Sequence, residues 1–282
     1  MRLSARHLLL TSSAALSLLA STLTFADGQF GIGIGVQQLS WQEFNSSTNT
    51  RILEEKGQRY TGHFSYDDYD RAEAGLLIGI DVNGHLGEVD YRGRTLNNVT
   101  LDTTTSYIGV NTKLTLGHRR PDVWNGYSRD WLGGFGFDYW EREIKDGFDA
   151  MSNPVAGYLE TYSALYVHAG IGFFRRQGRW SRYLQAGLKY PIEVNETISA
   201  PFNMKLEPGN NMSGFVSLTF YRHGDNDQRD LAVSIYYDTH RFSDSPSVLG
   251  DLDANNNSIR DDYFYQPKSD QDIAGIRISM FF

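Results

Sequence analysis

Asp238 and His240 stand two residues apart in the stretch Tyr236-Tyr237-Asp238-Thr239-His240-Arg241. In an extended chain residues i and i+2 share a face. The carboxylate can then orient the imidazole and hold it ready to take a proton, which is what a general base requires. Asp67, Asp68 and Asp70 cluster in a second segment and could supply further acids, and His63-x-Ser65 puts a base and a hydroxyl on one face of that same segment. No Gly-x-Ser-x-Gly and no His-Glu-x-x-His sequence occurs, so the commonest nucleophile elbow and zinc-helix arrangements are excluded.

Two other groups could bind ions. Asp251, Asp253, Asn255, Asn257 and Asp262 fall at positions 1, 3, 5, 7 and 12 of a twelve-residue stretch, the spacing of oxygen ligands in a helix-loop-helix Ca²⁺ loop. The last position is Asp instead of Glu, and the apolar residue falls one place late. The plainer expectation is a solvated Asn/Asp-rich loop with no cofactor, Ca²⁺ in this loop being the one alternative. Asp81, Lys113, Lys189, Glu193 and Arg277 each interrupt an apolar run. Charges removed from bulk water need partners, so these five are expected to face a shared interior and pair there. A file of them could also line a narrow ion path.

All of these groups sit on, or between, segments of one kind. In the run 272–282, DIAGIRISMFF, Ala274, Ile276, Ile278, Met280 and Phe282 take one parity, and Gly275, Arg277 and Ser279 take the other. A period of two is a strand with one apolar face. Segments 30–36, 59–70, 76–83, 108–116, 131–139, 165–173, 184–194, 216–220 and 231–237 alternate similarly, with Gly, Ser, Thr or charge on the minority face. Apolar bands of about 9–11 residues suit a tilted strand crossing a bilayer. Connections 177–180 and 225–229 are short, whereas 93–105, 146–160, 196–211 and 243–270 are long and polar. That asymmetry is expected when one barrel end faces the periplasm and the other the outside.

The expected fold is therefore all-β, a transmembrane antiparallel up-and-down β-barrel of ten strands. Asn83-Gly84 is a hairpin signal that could split the third segment and leave 45–73 as an outer loop, a version that still totals ten. Connector 119–130 is long for a periplasmic turn, which leaves eight or twelve open.

Residues 1–26 read as an export signal, with basic Arg2 and Arg6, an apolar stretch too short to span, and Thr24-Phe25-Ala26 at the cleavage position. The barrel would occupy 27–282 as one domain. Losing the two arginines takes the net charge from −8 to −10. A nucleic-acid partner wants a basic face and is not expected. Gly 28, Tyr 17, Phe 16 and no Cys suit barrel walls and interfacial aromatic girdles held by a closed ladder.

The last strand, ending on Phe282 with apolar residues at every second position before it, resembles the C-terminal signature of Gram-negative outer-membrane β-barrel proteins. The resemblance implies residence in the outer membrane, contact with its lipids and lipopolysaccharide, and recognition by the barrel-assembly machinery. Asp238-x-His240 is similar in spacing to the Asp-x-His pair of the omptin proteases, which are ten-stranded barrels using two further acids. His63-x-Ser65 is similar in spacing to the His-x-Ser of lipid A deacylases. Three functions follow as expectations. The first is a non-enzymatic barrel whose acidic outer loops meet ions, lipopolysaccharide or another cell. The second is a rim enzyme using Asp238 and His240, and the third is a narrow, porin-like channel with a charged lumen.

Overall fold

Alternation sends every second side chain to one side of a sheet, so a sheet with a polar and an apolar face must hide one of them. This chain does so by closing on itself. The computed structural model describes residues 28–69, 74–95, 98–199, 203–225, 228–250 and 262–282. The expected leader therefore lies outside the described residues. Ten long strands form the wall: β1 (Gln29–Phe44), β2 (Arg51–Asp67), β3 (Gly75–Arg94), β4 (Thr100–Trp124), β5 (Tyr127–Ile144), β6 (Tyr158–Gln177), β7 (Trp180–Ile198), β8 (Ser213–His223), β9 (Arg229–Ser243) and β10 (Lys268–Phe281). Each pairs antiparallel with the next, and β10 returns to β1 from Gly31 opposite Phe281 to Phe44 opposite Lys268. The result is an all-β, closed, antiparallel ten-stranded barrel.

The outer face carries an apolar belt. Ile34 is 75 % exposed, Leu76 66 % and Met280 63 %, values that hydrocarbon can satisfy and water cannot at this density of apolar groups. The belt runs over outward residues 30–36 of β1, 76–86 of β3, 108–116 of β4, 131–139 of β5 and 231–237 of β9. Above it the outward side chains become polar: Gln38, Ser40 and Gln42 on β1, Glu88, Asp90 and Arg92 on β3, Glu141 and Glu143 on β5. The wall therefore continues beyond the bilayer at the end that carries the longer loops, 145–157, 199–212 and 244–267.

The register settles both places. Asn83 and Gly84 lie inside β3, opposite His63 and Gly62 on one side and Asn111 and Val110 on the other. The hairpin expected there does not form, because Val82 and Leu86 keep the alternation running through it. Residues 119–130 are mostly strand, and the turn is only Asn125-Gly126, with φ of 46° and 74°. Those left-handed values define the two-residue turn that the Asn-Gly pair favours. Strands also outrun their apolar runs at the outer end, which cuts the expected loop 93–105 to 95–99 and turns 45–73 mostly into β2.

Candidate functional site

The inward residues fill the tube in three tiers. The outer tier lies in the part of the wall above the belt. Arg142, fully buried, donates through Nε to Glu55 at 3.0 Å and through Nη1 to Glu43 at 3.2 Å and to Glu160. Thr105 and Tyr107 also donate to Glu55, and Trp41 Nε1 donates to Glu43 at 2.9 Å. Aromatic rings pack beneath the guanidinium. Trp140 and Tyr162 stack at 4.9 Å with 3° between planes, and Trp41 and Phe242 close the ring beside them. Glu196 joins this tier with no exposed surface, and neither carboxylate oxygen meets a donor. Burial, with Glu160 next, raises its pKa well above the usual carboxylate range, and burial raises Glu160 to about 7 against the pull of Arg142. One guanidinium cannot balance four carboxylates, so protons must make up part of the difference.

The inner tier lies towards the opposite end. Arg119 grips Asp130 with Nε and Nη2 at 2.7 and 2.6 Å, a bidentate pair that also takes the Tyr183 hydroxyl at 2.6 Å. Arg229 binds Asp67 at 2.5 Å and the Gln29 side chain at 3.1 Å, its guanidinium 4.4 Å from the centre of the Phe281 ring. Leu77 and Phe174 fill the remaining space.

Between the tiers lies a polar cavity of about 180 Å³. Lys189 reaches Asp238 at 2.5 Å and His240 Nε2 at 3.0 Å, and His240 lies 3.5 Å from Asp138. Asp81 meets His63 at 3.2 Å and Lys113 at 3.6 Å. Arg277 points into the same space, 5.8 Å from the centre of the Tyr236 ring.

Asp238 and His240 thus share a face, as their spacing requires. They stand below the outer rim instead of on it, and the Trp140 and Phe242 rings lie over His240, each 6.3 Å away. Asp67 is at the far end of the tube in its pair with Arg229, Asp68 accepts from the Ile78 amide at 2.8 Å, and Asp70 is outside the described residues. Among the described residues, no second acidic pair from that cluster meets Asp238. His63 and Ser65 are both buried in the lumen wall.

Of the five expected lumen charges, Asp81, Lys113, Lys189 and Arg277 point inward, and Glu193 does not. Tyr166 pairs with Pro191 and Leu165 with Glu193, so Ile192 is an extra residue on β7. This bulge, beside a proline that has no N–H for the ladder, reverses the parity. Glu193 turns outward, where its carboxylate accepts from Asn195 at 2.7 Å, and Glu196 takes the inward place. The possible Ca²⁺ ligands Asp251, Asp253, Asn255, Asn257 and Asp262 lie outside the described side chains. Among the described residues, no group of three or more His, Asp and Glu is placed to hold a metal.

Reading strands only as far as their apolar runs missed Glu43, Glu55 and Glu160, the partners of Arg142, and Glu196 beside them. The signal was present: each keeps the inward parity of its own strand past the end of the belt, with the bulge counted on β7.

No protein-family model matches the chain, and no curated protein sequence does. Solved structures do resemble it. The outer-membrane protease OmpT of Escherichia coli superposes with a TM-score of 0.52 at 11 % identity, over 93 % of this chain and 99 % of that one. The chain has the outer-membrane β-barrel fold. The translocator domain of the autotransporter NalP from Neisseria meningitidis follows at 0.44, 10 % identity, 96 % and 95 %. The transport unit of AIDA-I from Escherichia coli gives 0.42, 10 % identity, 96 % and 98 %. The barrel's closure and lipid-facing belt agree with residence in a bacterial outer membrane.

Proposed function

We propose that this chain is a non-enzymatic outer-membrane barrel that acts through its outer rim and loops, with the lumen serving as filling. One observation carries the reading. Buried arginine–carboxylate pairs packed in aromatic rings occupy the tube towards both ends, Arg142 above and Arg119 with Arg229 below. A conducting pore needs a continuous water path, and a hydrolase needs substrate to reach its base. His240 is only 5 % exposed and already holds Lys189.

The rim rises clear of the bilayer on strands whose outward residues are polar, and it would present loops 145–157, 199–212 and 244–267 to lipopolysaccharide or to another cell. Export through the leader and insertion by the barrel-assembly machinery belong to the same proposal. The test replaces loops 145–157 and 244–267 by short turns in the refolded protein. Loss of lipopolysaccharide or cell-surface binding with the barrel still folded is the expected result. Hydrolysis of a peptide or lipid A panel that disappears in His240→Ala would overturn the reading in favour of the rim enzyme, the activity class to which the OmpT neighbour belongs.

A further inference from the structure

The end with the short turns carries a concentration of arginine that the lumen does not use. Just below the belt the outward residues of four successive strands are Arg120 on β4, Arg129 on β5, Arg175 on β6 and Arg182 on β7. The register sets them directly against each other: Arg120 faces Arg129, and Arg175 faces Arg182. Like charges opposite one another across a ladder are destabilising, and here the arrangement occurs twice side by side in a chain of net charge −8. Among the described residues none of the four makes a hydrogen bond or ion pair, and Arg129 Nε is buried with no acceptor. Among the described side chains, the neighbouring acids are already engaged: Asp130 by Arg119, Asp225 by Arg179, Asp230 by Arg222.

Aromatic rings hold the cations in place. Arg175 and Arg182 both stand 5.2 Å from the centre of the Tyr127 ring, and Arg129 stands 5.2 Å from that of Trp131. Trp124 and Trp180 are more than half exposed beside them. Aromatic side chains of this kind mark the headgroup level of a bilayer. A guanidinium resting on a ring keeps its N–H fork free for a planar or tetrahedral oxyanion. At this height the surrounding anion is the phosphate of a lipid in the periplasmic leaflet.

We propose that this arc is a docking site for anionic phospholipid, with Arg175 and Arg182 forming one phosphate seat and Arg120 and Arg129 the other. It rests on the barrel lying in a bilayer and not on what the outer rim does.

The test is native mass spectrometry of the refolded protein released from micelles doped equally with phosphatidylglycerol and phosphatidylcholine of the same acyl chains. Phosphatidylglycerol is expected to stay bound in preference. Arg175→Gln/Arg182→Gln should lower its retention about ten-fold or more, from the attraction a basic residue has for an anionic leaflet. Either single substitution gives the same direction should the pair fail to fold. Arg51→Gln, at the opposite end, should change nothing. Equal retention of the two lipids overturns the proposal, as does unchanged retention in the arginine variants. Displacement of the lipid by inorganic phosphate alone would show a site for a soluble ion and overturn it equally.

Discussion

Arg142 illustrates how a single residue can be legible in direction and illegible in role. The alternation of β5 sets it on the face opposite Trp131, Phe135 and Phe137, but nothing nearby in the sequence names its partners. Only the ring of strands reveals that Glu43, Glu55 and Glu160 arrive from three other elements to meet it. Removing one partner of a buried charge network costs about 3–5 kcal/mol, because the others are stranded. Arg142→Ala should therefore lower urea stability by about that amount at neutral pH. The loss should shrink in acid, where the stranded carboxylates can take protons. A loss indistinguishable from that of an exposed control such as Arg51→Ala would contradict this.

The same tier sets a pH dependence. The folded pKa of Glu160 is raised from 4.5 to about 7, and Glu196 is raised as well. A carboxyl that holds its proton more tightly when folded adds stability below the unfolded value, and that stability is lost as pH rises through the folded value. The urea midpoint should thus fall between about pH 5 and about pH 8. Glu196→Gln, which keeps the shape without the ionisation, should flatten the fall. A midpoint that rises over this range would contradict the assignment.

At the scale of the element, what could be read was the belt. Alternation located all ten strands, and Lys113, Lys189, Asp81 and Arg277 were legible as inward because an apolar face fixed their parity. Glu193 was not, since a bulge next to Pro191 changes parity with no mark in the hydrophobic pattern. Asn83-Gly84 and Asn125-Gly126 show the matching lesson for turns. The same dipeptide makes a hairpin only where the alternation on either side of it stops.

The many lumen glycines have an element-level cause too. A Cβ built on Gly136 would lie 2.1 Å from the Tyr166 ring, and one on Gly275 would lie 2.4 Å from the Tyr236 ring. The ring of one strand lies flat on the bare backbone of its neighbour, covering the wall from inside. Gly136→Ala must push the Tyr166 ring away, and overpacking of this sort costs about 1–3 kcal/mol. The same substitution at Gly62, where a Cβ meets nothing within 4 Å, should be close to neutral. Equal urea midpoints for the two variants would remove the argument.

For the whole molecule the question is whether the tube conducts, and the two tiers make a specific forecast because they lie in series. In series, the less permeable barrier decides the current, so opening one end leaves the other in control. Wild-type protein in a planar bilayer should show no current above background. Arg142→Ala with Trp41→Ala loosens only the outer tier, and Arg229→Ala with Phe281→Ala loosens only the inner one, so each pair should still be silent. Current should arise only when both pairs are combined, and it should then pass through the cavity past Lys113, Asp81 and Lys189. If the wild type conducts, or either pair alone opens the tube, the tiers are not independent seals, and the narrow channel becomes the better account of the lumen.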